Sequence, residues 1–159
     1  TAANVRFTFW CSHPKFAVKA LPMWKKKSIE VEWERSGGYQ ETERNPQLEL
    51  LTPIPNQTFV VRMEVISSSD PSSIFFVVRN HGRQGDGISG HIDDDLIVAK
   101  STYVRHHTVI KEFNNGARPS DSYIIVPCLQ PPGSKAKCII TVTSLSDVFQ
   151  LREVHAPEE

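Results

Sequence analysis

The side chains in this sequence that are best suited to catalysis or to metal binding are those of its three cysteines, Cys11, Cys128 and Cys138. A thiol protease needs a cysteine at a helix start with a histidine and an asparagine beside it, so that the thiolate is stabilised. Cys138 instead falls on the apolar face of a predicted strand, and Cys128 follows a proline at a predicted strand end. Cys11 lies two residues before His13, but no second ligand pair follows at zinc-finger spacing. We therefore predict three inert thiols and no catalytic residue.

Asp86, Asp93 and Asp95 are candidates for a calcium site because they lie in or beside the longest glycine-rich stretch. Calcium takes roughly six to eight oxygen ligands, which carboxylates gathered at one end of a β-domain can supply. The spacing differs from that of an EF-hand, and on a strand Asp93 and Asp95 would share a face while Asp94 points away. A solvated loop is the simpler interpretation. We expect no resident metal or other cofactor, with calcium at these three residues as the alternative.

Lys25, Lys26 and Lys27 form the densest cationic run, with Lys15 and Lys19 upstream. Near an anionic membrane surface each lysine contributes about 1 kcal/mol to binding. The same run could contact another protein domain. The simplest interpretation is a solvated connector, and contact with lipid or with a partner is the alternative.

Composition narrows the classes of function. The 159 residues contain 18 Lys plus Arg and 18 Asp plus Glu, so the net charge does not favour nucleic acid as a partner. No apolar run approaches the ~20 residues of a membrane span. Three cysteines cannot all pair within one chain, which fits a reducing compartment. The sequon at Asn56 would matter only in an extracellular adhesion-type domain.

Short segments with alternating apolar residues predict the elements that would position these side chains. Ile29, Val31 and Trp33 alternate with glutamates, and the same period of two recurs in residues 5–9, 59–65 and 138–142. Brief β-branched or aromatic runs occupy residues 74–78, 96–99, 123–126 and 149–154. Clusters of Gly, Pro, Asn and Ser separate these runs, and no internal repeat stands out. The pattern predicts an all-β, antiparallel two-sheet sandwich of about eight strands.

We expect one structural domain with two parts. Residues 1–27 are predicted to hold an N-terminal strand and a basic connector packed on the domain, and residues 28–159 the sandwich itself. We expect Pro127 to end its strand or to lie at an edge, because proline lacks the backbone donor that a sheet ladder needs. The adjacent His106 and His107 would face opposite ways on a strand surface.

Two blocks of sequence carry a family resemblance. The first is Trp33-Glu34-Arg35-Ser36-Gly37-Gly38 with Asn45-Pro46-Gln47 after it, and the second is Pro119-Ser120-Asp121-Ser122-Tyr123-Ile124-Ile125-Val126-Pro127 with Pro132-Gly133 after it. In this order they resemble the C2-like domain of calpains, formerly called domain III. The resemblance covers residues 28–144 and implies a C2-like β-sandwich.

One departure from the family is informative. Conventional calcium-dependent calpains carry an acidic loop after the Asn-Pro-Gln strand, whereas residues 51–58 here contain no carboxylate. The sequence is therefore more similar to an atypical calpain, of the type that carries microtubule-interacting-and-transport domains and ends in two tandem C2-like copies. It is most similar to the distal copy.

The resemblance implies a non-catalytic regulatory or docking module of a calpain-type intracellular cysteine protease. The parent would hydrolyse peptide bonds with a Cys, His and Asn outside this chain. Its partners would be other domains of the parent and other proteins, with the isolated domain monomeric. The implied location is the cytoplasm, with the nucleus and endosomes as further sites. The alternative function is a C2-type module that binds phospholipid through calcium or through its lysines.

Overall fold

A computed structural model describes residues 4–18, 24–66, 72–80, 84–103, 105, 108–117, 122–146 and 148–157. Nine strands lie within these ranges, with two short 3-10 turns at Thr42–Arg44 and Asp94–Leu96. The strands are β1 (Lys25–Trp33), β2 (Gln47–Leu51), β3 (Thr58–Val65), β4 (Ser72–Asn80), β5 (Ile97–Lys100), β6 (Thr108–Asn114), β7 (Ser122–Gln130), β8 (Ala136–Ser144) and β9 (Gln150–Val154).

The strands form two antiparallel sheets that confirm the predicted sandwich. The four-stranded sheet has the order β1-β8-β3-β6, and the five-stranded sheet has the order β5-β4-β7-β2-β9. β8 lies between β1 and β3, with Val31 opposite Cys138 on one side and Val65 opposite the same residue on the other. The neighbouring strands β1 and β9 approach at one side of the sandwich, and β5 and β6 at the other.

The main core lies between the two sheets. Alternation places one side chain in two on the inner face of each strand, and these residues are almost all inaccessible to water. Large side chains that are completely buried there include Trp33, Phe59, Phe75, Leu50 and Met63. Phe59 stacks on Phe113 with ring centroids 5.4 Å apart and meets Phe149 edge-on at 5.6 Å. Aromatic packing thus joins β3, β6 and the segment before β9.

The outer face of the five-stranded sheet is also covered, which the sequence analysis did not predict. Phe76, Ile124 and Val126 point outward from β4 and β7, yet they are buried. Residues 84–96 fold over them, and Ile92 of this segment is only 2% exposed. The apolar residues of this stretch form a packed cover, whereas Asp93, Asp94 and Asp95 remain exposed to solvent. We call residues 84–96 the cover segment.

The prediction for Pro127 is wrong in part. β7 continues through this residue to Gln130, and Pro127 lies opposite Phe75 of β4. Pairing of β7 with β2, however, covers only residues 123–125. Beyond that point the Ser36 hydroxyl occupies the edge of β7, where it donates to the Leu129 carbonyl and accepts from the Leu129 amide. Proline is tolerated because a side chain, instead of a strand, flanks this part of β7.

The predicted strand at residues 5–9 is not formed in the chain. Residues 4–18 contain no strand, and every one of them is exposed. Phe7 is 76% exposed, Phe9 56% and Trp10 88%. The alternating pattern is present, but a strand forms only when another strand supplies hydrogen bonds and a covering layer. The basic connector also ends earlier than predicted, because β1 begins at Lys25.

Candidate docking groove

A groove of about 560 Å³ lies on the outer face of the five-stranded sheet. Its floor comes from β4 and β5, one wall from the cover segment, and the other walls from the turn around Tyr39 and from the residues after β5. This volume is in the usual range for small-molecule and side-chain pockets. The residues that line it are Tyr39, Ile74, Phe76, His91, Ile92, Asp94, Ile97, Lys100, Ser101, Thr102 and Tyr103.

Aromatic side chains, the Lys100 ammonium and the Asp94 carboxylate give the groove its chemistry. Tyr39 meets His91 edge-on with ring centroids 6.3 Å apart, and the Lys100 ammonium lies 6.0 Å from the centroid of Phe76. No ion pair to Lys100 is formed within the described part of the chain. Tyr103 is half exposed at the mouth. The groove suits an apolar or aromatic group with a carboxylate beside it.

The edge of the sheet lies next to the groove. β5 pairs with β4 on one side and has no strand on the other among the described residues. An edge strand offers backbone donors and acceptors to an extended peptide, whose alternate side chains can enter a neighbouring pocket. Together, this edge and the groove form a surface suited to a polypeptide segment.

Gln47 at the start of β2 positions the cover segment. Its side chain is buried and bonds Ile88 twice: its Nε2 donates to the Ile88 carbonyl at 2.7 Å, and its Oε1 accepts from the Ile88 amide at 2.7 Å. A Cβ at Gly87 would lie 2.6 Å from Gln47 Oε1 and 3.0 Å from the Ala156 amide nitrogen, so a larger residue there would displace the Gln47 side chain from Ile88. These contacts fix the segment that carries His91 and Ile92 to the groove wall.

A second set of contacts joins the cover segment to the 3-10 turn before β2. The Thr42 hydroxyl donates to the Gly90 carbonyl at 2.8 Å, and the Gly90 amide donates to the Glu43 carboxylate at 2.8 Å. The bond from the Gly90 amide is the main cause that lowers the pKa of Glu43 below its ordinary value. The wall of the groove is therefore held from two sides.

The residues of the first resemblance block form one structural corner. The Asn45 amide oxygen accepts from the Gly37 amide at 3.2 Å and lies 3.2 Å from the Ser36 hydroxyl oxygen, and its amide nitrogen donates to the Gly38 carbonyl. A Cβ at Gly37 would lie 2.0 Å from the Glu41 carbonyl oxygen, so only glycine fits. This corner carries the turn that presents Tyr39 to the groove.

In the second block, Tyr123 links β7 to the loop after β6. Its hydroxyl donates to the Asn115 carbonyl at 3.0 Å. The Asn115 side chain in turn accepts from the Gln57 amide at 2.8 Å and donates to the Thr52 hydroxyl at 2.8 Å. Both blocks thus stabilise loops against β7. Residues 119–121 of the second block lie outside the described residues.

Cys128 and Cys138 lie in the interior of the sandwich, whereas Cys11 is on its surface. Both interior cysteines are buried, and burial raises the pKa of each thiol from 9.0 to about 12, with a smaller contribution from Glu30 at Cys138. A thiol with such a pKa stays protonated at neutral pH and is a poor nucleophile. Cys11 is exposed, and its sulfur accepts from the His13 backbone amide at 3.4 Å.

The calcium candidates are not brought together. Asp86 forms an isolated bridge with His155, while Asp93 caps the second 3-10 turn by accepting from the Asp95 amide at 3.1 Å. Residues 94–96 form that turn and not a strand, so the shared strand face considered for Asp93 and Asp95 does not arise. Within the described ranges, no group of three or more His, Cys, Asp or Glu side chains could hold a metal ion.

The lysine run lies on the edge strand β1, not on a connector. Lys25, Lys26 and Lys27 are all exposed at residue level. The Lys27 ammonium donates to the Phe149 carbonyl and lies 4.8 Å from the centroid of the Phe149 ring, so it links β1 to the segment before β9. Of the three lysines in this run, Lys25 and Lys26 then remain available to contact a membrane or a partner protein. Lys19, His106 and His107 lie outside the described residues.

The groove residues were not singled out in the sequence. They come from turns and strands far apart along the chain, so no local spacing brings them together. Exposed tyrosines at turns, such as Tyr39 and Tyr103, are the only available signal, and it is weak. In the described part of the chain, no helix has the length and apolar character needed to cross a membrane.

Comparisons with protein-family models and with curated proteins identify no relative of this chain. No protein-family model matches the chain, and no curated protein matches it. The calpain resemblance therefore stays a prediction that depends on the two blocks of residues described above.

Proposed function

We propose that this chain is a non-catalytic docking module of a calpain-type intracellular cysteine protease, and that it binds a segment of another domain of that protease. The observation that carries the docking role is the groove of about 560 Å³, with its aromatic walls and the adjacent edge of β5. Apolar walls supply burial, and the Lys100 ammonium supplies a partner for an acidic group.

The non-catalytic role is supported by the state of the buried thiols. Cys128 and Cys138 are each inaccessible, and burial keeps the pKa of both far above neutral pH. Peptide hydrolysis in the parent would need a cysteine, a histidine and an asparagine from outside this chain. All three cysteines are unpaired, which fits an intracellular location such as the cytoplasm.

The family assignment is supported by the order of the motif residues and by their structural use. Ser36, Gly37 and Asn45 form the corner that carries Tyr39, while Tyr123 anchors the loop after β6. Residues with such specific contacts tolerate few replacements, so their shared order is better evidence than composition. The sandwich fold alone would not distinguish this family from others.

We propose that this chain acts by holding a bound segment of the parent protease in a fixed position. A sheet buried on both faces keeps its loops in fixed positions, so a segment held in the groove is held at a fixed orientation. Contacts of this kind favour one arrangement of the parent's domains over others and can thereby favour its active state.

Binding between this chain and the remainder of the parent protease tests the groove directly. The double variant Lys100→Glu/Tyr103→Ala removes the cation and the aromatic rim, and we expect the dissociation constant to rise at least tenfold, or about 1.4 kcal/mol. Ile110→Ala is the matched control, since Ile110 is 57% exposed on the other sheet. Equal binding by the wild type and the double variant, measured by calorimetry, would refute the groove as the docking site.

The phospholipid alternative has weaker support. Lys27 is engaged by Phe149, and two remaining lysines are fewer than the roughly four to eight that typically bind anionic membranes. Vesicle sedimentation at two salt concentrations, with and without calcium, detects such binding if it occurs. Salt-sensitive sedimentation would favour lipid binding over protein docking.

A further inference from the structure

Among the described strands, four lie at the edge of a sheet, and β5 differs from the other three in its charge. β1, β6 and β9 each carry two or more charged side chains, whereas β5 carries only Lys100, at its last position. Charged side chains on an edge strand discourage a further strand from pairing with it. Residues 97–99 are uncharged, so β5 is the edge best suited to accept a strand from a partner.

The register of β5 shows which backbone groups it offers to such a strand. Lys100 lies opposite Phe76 of β4, and the next residue, Ser101, donates its backbone amide to the Phe75 carbonyl at 3.0 Å. Backbone groups that point toward a neighbouring strand alternate with groups that point away from it. The amide and carbonyl of Lys100 therefore point to the edge of the sheet. β6 approaches this side, but it pairs with β3 and forms no ladder with β5 in the described part of the chain.

Pairing at Lys100 directs the side chains of an added strand into the groove. The residue opposite Lys100 has its side chain on the same face of the sheet as the Lys100 side chain, which lines the groove. A carboxylate at that position faces the Lys100 ammonium. Two positions further along the added strand, the next side chain on this face meets Ile92 and Ile97, which also line the groove. The geometry therefore favours an acidic side chain followed, two positions later, by an apolar or aromatic one.

The groove has opposite charges at its two ends. Asp94 lies just before β5 and Lys100 ends it, and both line the groove. Neither forms an ion pair within the described ranges, and the neighbouring Asp93 and Asp95 are also exposed. Residues 94 and 100 are at most roughly 16 Å apart, at about 2.0 Å per residue in the 3-10 turn and 3.3 Å in the strand. Four residues of an added strand, with the reach of a lysine or arginine side chain, cover this length.

We propose that the groove binds an extended segment that pairs antiparallel with β5 and has an acidic residue, an apolar or aromatic residue two positions later, and a basic residue four positions later. Antiparallel pairing follows the rest of this sheet, in which every described pair of strands is antiparallel. It places the beginning of the bound segment opposite Lys100 and its end beside Asp94. Reversal of the two charged residues in the segment would set like charges against each other at both ends.

This inference rests on the proposed docking function, and it adds the chemistry and the direction of the bound segment. Two peptides of identical composition test it, one with the central sequence Glu-Thr-Phe-Thr-Lys and the other with Lys-Thr-Phe-Thr-Glu, each with blocked ends and the same neutral flanking residues. Their dissociation constants for the 159-residue chain are measured by NMR titration, with the backbone amide of Lys100 as the reporter.

The first peptide should bind at least about fivefold more tightly than the second, because it makes two attractive charge pairs where the second makes two repulsive ones. This preference should largely disappear in about 1 M NaCl, which screens exposed charges. The charge-exchange variant Asp94→Lys/Lys100→Asp should prefer the second peptide. Glu32→Lys/Lys137→Glu is the matched control, since it exchanges the two charges of an exposed ion pair on the other sheet and should keep the wild-type preference.

The inference is overturned if the wild type binds both peptides equally, prefers the second peptide, or binds neither. It is also overturned if the charge-exchange variant keeps the wild-type preference. These outcomes differ from failure of the proposed function, which is decided by binding of the remainder of the parent protease to the wild type and to Lys100→Glu/Tyr103→Ala. If that binding is weakened by the double variant while the two peptides bind alike, the groove is still the docking site and only the stated sequence and direction of the segment are wrong.

Discussion

Glu49 is the residue whose environment departs furthest from what the sequence indicates. It is completely buried on β2, directly opposite Arg152 of β9. Its carboxylate accepts from Arg152 Nε at 2.7 Å and from the Gly85 amide at 3.0 Å. The sequence offers no signal for this contact, because Glu49 and Arg152 are far apart in the chain and each is an ordinary surface type.

Arg152→Ala should therefore destabilise the fold. A buried carboxylate would lose its charged partner, and we expect the free energy of unfolding to fall by about 2 kcal/mol, below the roughly 3–5 kcal/mol of fully buried pairs because Arg152 is half exposed. Urea denaturation measures the change. Glu153→Ala, at the exposed neighbouring position, is the control and should alter stability by less than about 0.5 kcal/mol. Similar losses in both variants would contradict the role given to Arg152.

The buried thiols predict a loss of stability in alkaline solution. The folded pKa of Cys128 and Cys138 is about 12, above the ordinary 9.0, so the unfolded chain releases protons first as the pH rises. The contribution of the two buried thiols to the free energy of unfolding is fully present below pH 9.0. It falls between pH 9.0 and about 12, by up to about 1.4 kcal/mol for each thiol and each pH unit. Denaturation at pH 8 to 11 should show a shallower decline in Cys128→Ala/Cys138→Ala. Parallel curves for the two proteins would contradict this.

At the scale of elements, the strands with one solvent-exposed face could be predicted from the sequence. The strands that are buried on both faces could be predicted only in part. β1, β3 and β8 show alternation because one side faces water. β4 and β7 are buried on both faces and read as short continuous apolar runs with uncertain ends. β6 was missed because its buried residues, Val109 and Phe113, are separated by three exposed residues, Ile110, Lys111 and Glu112, which break the alternation. Tertiary packing, and not the local sequence, determines where these strands begin and end.

The cover segment is an element that only the structure reveals, and Gln47 is its anchor. Gln47→Ala removes the acceptor of the Ile88 amide and the nearer of the two donors to the Ile88 carbonyl, and we expect hydrogen exchange at Ile88 to accelerate at least tenfold. Because the same segment carries His91 and Ile92, affinity at the groove should fall as well. Gln40→Ala, at an exposed turn position, is the control. Unchanged exchange at Ile88 would show that other contacts hold the segment.

At the scale of the whole molecule, the sequence predicted the class of fold correctly. Its turn residues and alternating runs indicated a two-sheet antiparallel sandwich, and nine strands in two sheets confirm it within the described residues. The groove could not be predicted, since Tyr39, Phe76 and Tyr103 meet only after both the corner and the cover segment are in place. The protease assignment depends on order and spacing in two blocks, which the fold accommodates but does not distinguish from other sandwiches.

The central claim is that this chain places other domains and performs no chemistry itself. Peptidase turnover of the natural full-length protein, measured with this module present, with it deleted, and with the module alone, tests that claim most directly. We expect the isolated module to be inactive, and deletion to lower turnover by at least about tenfold or to displace the enzyme in the cell. Full turnover and normal location after deletion, or peptide hydrolysis by the module alone, would contradict the account.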